Sequence, residues 1–232
     1  MNFKLFLLLF FSVVLSGAQN SSNSTNAELY KDYREDQFYA SITYNLLTQK
    51  SDSISQNGFS SGFHFGFIRD MPVNEERTKA IGIGLGVSAN SYNQNISILE
   101  TNNETNYSII NEEEINVSKN KFTTYLIEVP IEFRWRNSTA TDYSFWRIYT
   151  GFKLGYLLYN SSKFKSTSGN QNLSNISDFN AFQYGLTLSI GYGTWNIHAY
   201  YALNPIFKNS AQIDNRSIDI RAFKIGLMFY IL

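Results

Sequence analysis

The stretch Gly58-Phe-Ser-Ser-Gly-Phe-His-Phe-Gly-Phe-Ile-Arg69 decides the fold class, because its side chains alternate between two contrasting faces. One face carries Phe59, Phe63, Phe65 and Phe67, and the other carries Ser60, Gly62, His64 and Gly66. A period of two residues is that of a β-strand, whose successive side chains point to opposite sides. The stretch therefore predicts a strand with one continuous apolar face.

Seven further segments repeat this pattern, which raises the number of predicted strands to eight. They are residues 37–48, 80–92, 122–135, 144–159, 179–192, 195–204 and 217–232. Aromatic residues make up 16% of the chain and there are only 3 prolines, which suits strands with aromatic girdles. The sequence predicts an all-β fold, an eight-stranded antiparallel up-and-down transmembrane β-barrel.

The less apolar face of each strand distinguishes a membrane barrel from a soluble one. In a soluble barrel that face meets water and usually carries charges throughout. Here it is dominated by Gly, Ser and Thr with a few charges, which suits the crowded lumen of a narrow barrel. The apolar face is then expected to meet lipid, and closure of the barrel satisfies the backbone hydrogen bonds that lipid cannot satisfy.

The first part of the chain predicts export. Residues 1–18 combine Lys4, an apolar run and the small residues Ser16-Gly17-Ala18, as a signal peptide does. Residues 19–35 are rich in Ser, Asn and charge and are predicted to be a flexible segment, followed by the barrel at 36–232. Without cysteine the chain has no disulfide and no acylated N-terminal cysteine. The expected location is the outer membrane of a Gram-negative cell.

The connections separate into a longer and a shorter set. With the N-terminus in the periplasm, residues 49–57, 93–121, 160–178 and 205–216 are outer loops, and residues 70–79, 136–143 and 193–194 are inner turns. Long outer loops and short inner turns are typical of outer-membrane barrels.

Charged residues on the predicted inner face indicate a lumen ion-pair network. Its members are Glu128, Glu132, Arg134, Arg147, Lys153 and Lys224. In an antiparallel pair joined at 136–143, Glu132 could lie beside or diagonal to Arg147, and Glu128 likewise to Lys153. Such a network is expected to fill the narrow lumen. A proton path, a small-ion path or a gate is the alternative.

Other function classes find little support. The balance of 19 basic and 19 acidic residues gives no reason to expect a nucleic-acid partner. Glu128 and Glu132 stand about 13 Å apart along a strand, too far for a glycosidase pair. No serine lies in a G-x-S-x-G context, and no carboxylate cluster accompanies His64 and His198. We expect no enzymatic activity, no cofactor, no metal and no small-molecule substrate; a barrel hydrolase with its triad in the outer loops is the alternative.

Two segments resemble a known family. Tyr33-Arg-Glu-Asp-Gln-Phe-Tyr39 with Asn45-Leu-Leu47, and Gly66-Phe-Ile-Arg-Asp-Met-Pro-Val-Asn74 with the glycine-alternating strand after it, resemble the PorT (SprT) family of outer-membrane β-barrel proteins. That family belongs to the wider porin-like barrel group and is associated with type IX protein secretion and gliding motility. The resemblance implies other secretion-system proteins as partners and no active site.

The most distinctive stretch, Arg69-Asp70-Met71-Pro72, falls at the predicted inner turn 70–79, which also contains Asn74. It could dock a periplasmic or membrane partner, or it could be a turn nucleated by Asp and Pro. Three functions follow as hypotheses. The first is a component of a secretion machine, and the second an autonomous barrel acting in adhesion or envelope stability. The third, a diffusion pore, is disfavoured because eight strands leave no open channel.

Overall fold

A computed structural model of the chain describes residues 36–101, 104–110, 116–137, 145–167 and 169–231. The predicted signal peptide and the segment 19–35 lie outside these ranges, as do most of the predicted turn 136–143 and part of the predicted loop 93–121. No helix long and apolar enough to cross a membrane occurs in the described part of the chain.

The described elements are all β-strands. They are β1 (Gln37–Thr48), β2 (Ser61–Pro72), β3 (Lys79–Asn93), β4 (Ile96–Thr101), β5 (Glu104–Ile109), β6 (Val117–Arg136), β7 (Trp146–Ser166), β8 (Gly169–Ser174), β9 (Phe182–Tyr192), β10 (Trp195–Ala202), β11 (Gln212–Ile213), β12 (Arg216–Ser217) and β13 (Arg221–Ile231).

Eight of these strands close into a ring. Their order is β6-β3-β2-β1-β13-β10-β9-β7, every pair is antiparallel, and β6 pairs with β7 to close the circle. The eight ring strands coincide with the eight predicted ones. The predicted eight-stranded antiparallel barrel is thereby confirmed, and because the ring closes between its first and last members it leaves no open edge.

The strand boundaries correct two predictions about connections. Strand β2 extends to Pro72, so Arg69, Asp70, Met71 and Pro72 belong to a strand and only 73–78 form the inner turn. The predicted outer loops 93–121 and 160–178 contain the β4–β5 hairpin, β8 and long extensions of β6 and β7. The paired strands continue because polar residues beyond the membrane can still form a backbone ladder.

The outer surface carries the apolar side chains predicted to meet lipid, bounded by aromatic residues at both ends. At the inner end Trp146 packs on Tyr192, with ring centroids 5.6 Å apart. At the outer end Tyr125 packs on Tyr159 at 5.7 Å. Tyr125 and Trp135 are ten positions apart on β6, which at about 3.4 Å per residue and a tilt of about 40° gives about 26 Å, the height of a membrane barrel's apolar band.

The long connections fold together into an apolar cap over the outer end of the barrel. Its centre is a cluster of Phe122, Phe179 and Phe207, whose ring centroids lie 4.5–5.5 Å apart. Asn180 holds one side of the cap by donating to the carbonyls of Pro205 and Phe207 at 3.0 and 2.8 Å. The outer loops are therefore packed against one another over the lumen, with a hydrophobic core of their own.

Candidate functional site

The inner end of the lumen is organised around one carboxylate, that of Asp70. Arg136 binds it through Nη1 to Oδ1 and Nη2 to Oδ2, each at 2.8 Å, and Arg134 Nη1 donates to Oδ1 at 3.0 Å. All three side chains are fully buried. Asp70 therefore faces the lumen and is not available for the partner docking considered for it, because β2 continues through this position and directs its even-numbered residues inward.

Arg134 extends this cluster along β6 and to the adjacent strand β7. Its Nε donates to Glu132 Oε2 at 3.1 Å, and its guanidinium lies 4.6 Å from the ring centroid of Tyr149. A cation over an aromatic face is stabilised by the ring quadrupole, more strongly when both are shielded from water.

Arg147 lies elsewhere than the sequence predicts. Its register partner on β6 is Arg136, whereas Glu132 lies opposite Gly151. Arg147 is thus four positions from Glu132, and its guanidinium lies 4.5 Å from the ring centroid of Phe145. The prediction that Glu132 and Arg147 are neighbours is therefore wrong. Residues that lie opposite each other on β6 and β7 have numbers that add up to 283, whereas 132 and 147 add up to 279.

The middle of the lumen holds a second polar cluster, centred on Glu128. Its carboxylate accepts from Ser88 Oγ at 2.8 Å and lies 3.1 Å from Lys153 Nζ and 3.2 Å from His64 Nδ1. Glu128 and Lys153 occupy diagonal positions of the β6–β7 pair, since Glu128 faces Gly155 and Lys153 faces Pro130. All four residues are buried.

Lys224 joins this second cluster through an aromatic ring. Its Nζ lies 4.9 Å from the ring centroid of Tyr200, and Lys153 Nζ lies 5.9 Å from the same centroid. His198, on the neighbouring strand, forms a 2.7 Å contact with Ser189 Oγ. The described residues hold no group of three or more His, Cys, Asp and Glu side chains that could bind a metal ion.

Glycines on β2 and β3 make room for these large lumen side chains. A Cβ at Gly82 would lie 2.7 Å from Arg134 Nε, and one at Gly86 would collide with the Tyr39 hydroxyl. The alternating glycines of β3 are thus required by the volume of the residues opposite them. Arg136, Tyr39 and Asp70 also line the lumen but are missing from the predicted network. Alternation could have found two of them, because Arg136 lies two residues after Arg134 and Asp70 six residues after His64.

The inner turn 73–78 is held in one shape. Asn74 accepts the Lys79 amide at 2.8 Å and donates to Thr78 Oγ1 at 2.8 Å, so this residue organises the turn. Arg136 Nε donates to the carbonyl of Arg77 at 3.0 Å, which ties the turn to the buried Asp70. Between these anchors Val73, Glu75 and Glu76 are exposed at the inner end of the barrel.

The sequence matches a family model over residues 9–208, that of the outer membrane protein beta-barrel domain. The chain belongs to this family. Membership and the closed membrane-sized barrel together place the protein in the outer membrane, as the sequence predicts. No curated protein matches the chain in sequence.

Among solved structures, the chain is similar to Ail, the attachment invasion locus protein of Yersinia pestis. Identity is 12%, the match covers 84% of this chain and 97% of Ail, and the TM-score is 0.39. A second structure of Ail, in complex with the heparin analogue sucrose octasulfate, matches at 11% identity over 85% of this chain and 99% of that one, with a TM-score of 0.36. The architecture described above rests on this chain's own strand pairing.

Proposed function

We propose that this barrel is a non-enzymatic component of a type IX protein secretion and gliding motility system, working through protein contacts at its inner turn. The observation that carries the proposal is the filled and capped lumen. Large buried side chains occupy the middle and inner end, and the apolar cap covers the outer end. A barrel without a through-path works through its surfaces rather than as a conduit.

The inner turn is the surface best suited to a partner. Its backbone is fixed by Asn74 and Arg136, so little conformational entropy is lost when a partner binds. It presents one exposed apolar side chain, Val73, beside two carboxylates, Glu75 and Glu76. An apolar contact flanked by charges is a common arrangement for specific docking. The resemblance to the PorT (SprT) family supports the assignment to a type IX secretion system.

The test is a deletion strain complemented with the wild-type gene or with the variant Val73→Asp/Glu75→Lys/Glu76→Lys. We expect deletion to abolish secretion of many proteins into the medium and spreading on agar. We expect the turn variant to reach the outer membrane but fail to restore either function or to co-purify other secretion subunits. The matched control is Thr194→Lys, which adds charge at another exposed inner turn and should restore both.

Normal secretion in the deletion strain would overturn the assignment to a secretion system. It would leave the second hypothesis, an autonomous barrel acting in adhesion or envelope stability. Restored secretion by the turn variant would leave the assignment to a secretion system intact, but it would show that the partner does not bind at the inner turn.

A further inference from the structure

Strand β8 differs from the eight ring strands because it has a neighbour on one side only. It pairs with β7 over its whole length, Gly169–Ser174, and no strand in the described part of the chain pairs with its other edge. β8 pairs with the part of β7 that continues beyond the bulge at Leu158 and the aromatic pair Tyr125–Tyr159. Its free edge therefore lies at the outer end of the barrel, beyond the lipid-facing band.

The backbone groups of β8 alternate between the edge that pairs with β7 and the free edge. Just after the strand, the Asn175 amide donates to the Asn160 carbonyl of β7 at 3.0 Å. Counted back from this pair in steps of two along an antiparallel ladder, the odd-numbered residues of β8 bond to β7. The even-numbered residues direct their N–H and C=O groups to the free edge. They are all exposed, and they are Asn170, Asn172 and Ser174.

The free edge carries none of the features that usually protect an edge strand. Such edges are commonly guarded by charged side chains, by proline or by a β-bulge. The sequence of β8 is Gly-Asn-Gln-Asn-Leu-Ser, without charge and without proline. Its register with β7 runs without a shift. Backbone donors and acceptors of three residues are therefore open to pairing.

The strand is held in place by contacts on its inner face. Leu173 packs against the apolar cap, and Gln171 Nε2 donates to the carbonyl of Glu100 in β4 at 3.4 Å. These contacts involve side chains below the sheet and leave the backbone of the free edge unpaired. Because β8 is already fixed on one edge and one face, little conformational entropy is lost when something binds to the other edge.

The geometry of the edge limits what can pair with it. Backbone N–H and C=O groups spaced as in a strand are matched by the backbone of a second extended polypeptide. A second copy of this chain in the same membrane would be related by a two-fold rotation about the membrane normal, which leaves the vertical component of each strand unchanged. Strands tilted by about 40° would then cross at about 80° instead of lying side by side. A segment of a separate protein is free to take the required direction.

We propose that the free edge of β8 binds an extended segment of another protein as an additional strand. Hydrogen bonds to the backbone of Asn170, Asn172 and Ser174 hold the segment in register. Its side chains alternate between the exposed face of β8 and the inner face, where one of them lies beside Leu173. The segment that fits therefore alternates polar and apolar residues. This surface is separate from the inner turn and acts at the opposite end of the barrel.

The test uses the full chain in detergent micelles and a fluorescent peptide of alternating threonine and valine, whose binding is measured by anisotropy. We expect the wild-type chain to bind this peptide but not the same peptide with methylated backbone nitrogens, which keeps the side chains and lacks the N–H donors. Asn172→Pro should bind at least about tenfold more weakly, because proline removes an N–H of the free edge and its ring obstructs the added strand. Hydrogen exchange in residues 169–174 should slow when the peptide binds.

The matched control is Asn172→Ala, which removes the same side chain but keeps the N–H and should bind as wild type does. Proline is tolerated where the N–H of an edge strand faces solvent, and a heat-modifiability gel shift verifies that both variants are folded barrels. No binding by the wild-type chain, equal binding by Asn172→Pro or equal binding of the methylated peptide would overturn the proposal. A wild-type dimer in lipid vesicles that Asn172→Pro abolishes would also overturn it, because it would assign the edge to a second copy.

Discussion

Arg136 binds Asp70 through two parallel hydrogen bonds of 2.8 Å, and neither side chain is reached by solvent. One end of this bidentate pair is anchored in strand β6 and the other in β2, which are separated in the ring by β3. The same guanidinium reaches the carbonyl of Arg77 in the inner turn. This one buried ion pair thus links two non-adjacent strands inside the lumen, and Arg136 also connects it to the inner turn that we propose binds a partner.

Removing the carboxylate of Asp70 should destabilise the barrel strongly. In Asp70→Ala, Arg134 and Arg136 lose their shared acceptor while they remain buried, which costs about 3–5 kcal/mol for a broken buried pair. Urea unfolding in lipid vesicles measures the change in the free energy of unfolding. Glu75→Ala, an exposed carboxylate in the adjacent turn, should change it by less than about 0.5 kcal/mol. Equal effects of the two variants would contradict the central position of Asp70.

A methyl group at Gly86 should disrupt the packing of Tyr39. The new Cβ of Gly86→Ala collides with the Tyr39 hydroxyl and lies 2.8 Å from the carbonyl of Phe65. Overpacking of this kind costs about 1–3 kcal/mol, and Tyr39→Phe should recover part of the loss by removing the hydroxyl. The matched control is Gly155→Ala, whose nearest neighbour is 3.3 Å away. The readout is the free energy of unfolding, and a Gly155→Ala loss as large as that of Gly86→Ala would contradict the argument.

Truncating Phe207 should loosen the outer cap without unfolding the barrel. Phe207 contacts the rings of Phe122 and Phe179 and is buried, so Phe207→Ala removes packing worth about 3–5 kcal/mol. Because Phe179 and Phe207 lie in outer loops, we expect faster hydrogen exchange and proteolysis at the cap while heat-modifiability is retained. Phe59→Ala, which removes an exposed ring that is not part of this cluster, should leave cap protection unchanged. Unaltered protection in Phe207→Ala would show that the cap does not depend on this cluster.

The outer cap should also weaken in alkaline solution. Burial raises the pKa of Tyr107, and the hydrogen bond from its hydroxyl to Asp178 at 2.9 Å acts in the same direction. The folded cap therefore favours the protonated phenol. This contribution is fully present below a pH of about 10, the ordinary tyrosine value, and is lost as the pH rises above it. Limited proteolysis between pH 8 and 11 should show cap opening that is less pH-dependent in Tyr107→Phe. Identical pH profiles would contradict this role.

The order of the strands and the lipid-facing surface could be predicted from the sequence alone. Phe63, Phe65 and Phe67 are exposed on β2 as their alternation predicts, and the eight predicted strands are the eight that close the ring. The prediction from sequence succeeds because a β-strand directs successive side chains to opposite faces. In a membrane barrel apolar residues that face lipid therefore alternate with smaller or polar residues that face the lumen.

The partners of each lumen side chain were decided only by the tertiary structure. The sequence places Glu132, Arg134 and Arg147 on the inner face, yet Arg147 lies opposite Arg136, and Arg134 binds both Glu132 and Asp70. A register shift by an even number of residues changes the neighbours of every side chain but leaves each side chain on the same face of the sheet. The contact of Asp70 with Arg136 also depends on how β2 and β6 each pair with the intervening strand β3.

The bulge in β7 and the folding of the outer loops likewise required the tertiary structure. Alternation below the bulge predicts the wrong face for Lys163 and Lys165, because one unpaired residue at Leu158 reverses the parity of the rest of the strand. The cap brings together Phe122, Phe179 and Phe207 from distant parts of the chain. Local periodicity determined which residues face lipid, whereas register, bulge and loop packing determined which residues meet, since those depend on contacts between segments remote in sequence.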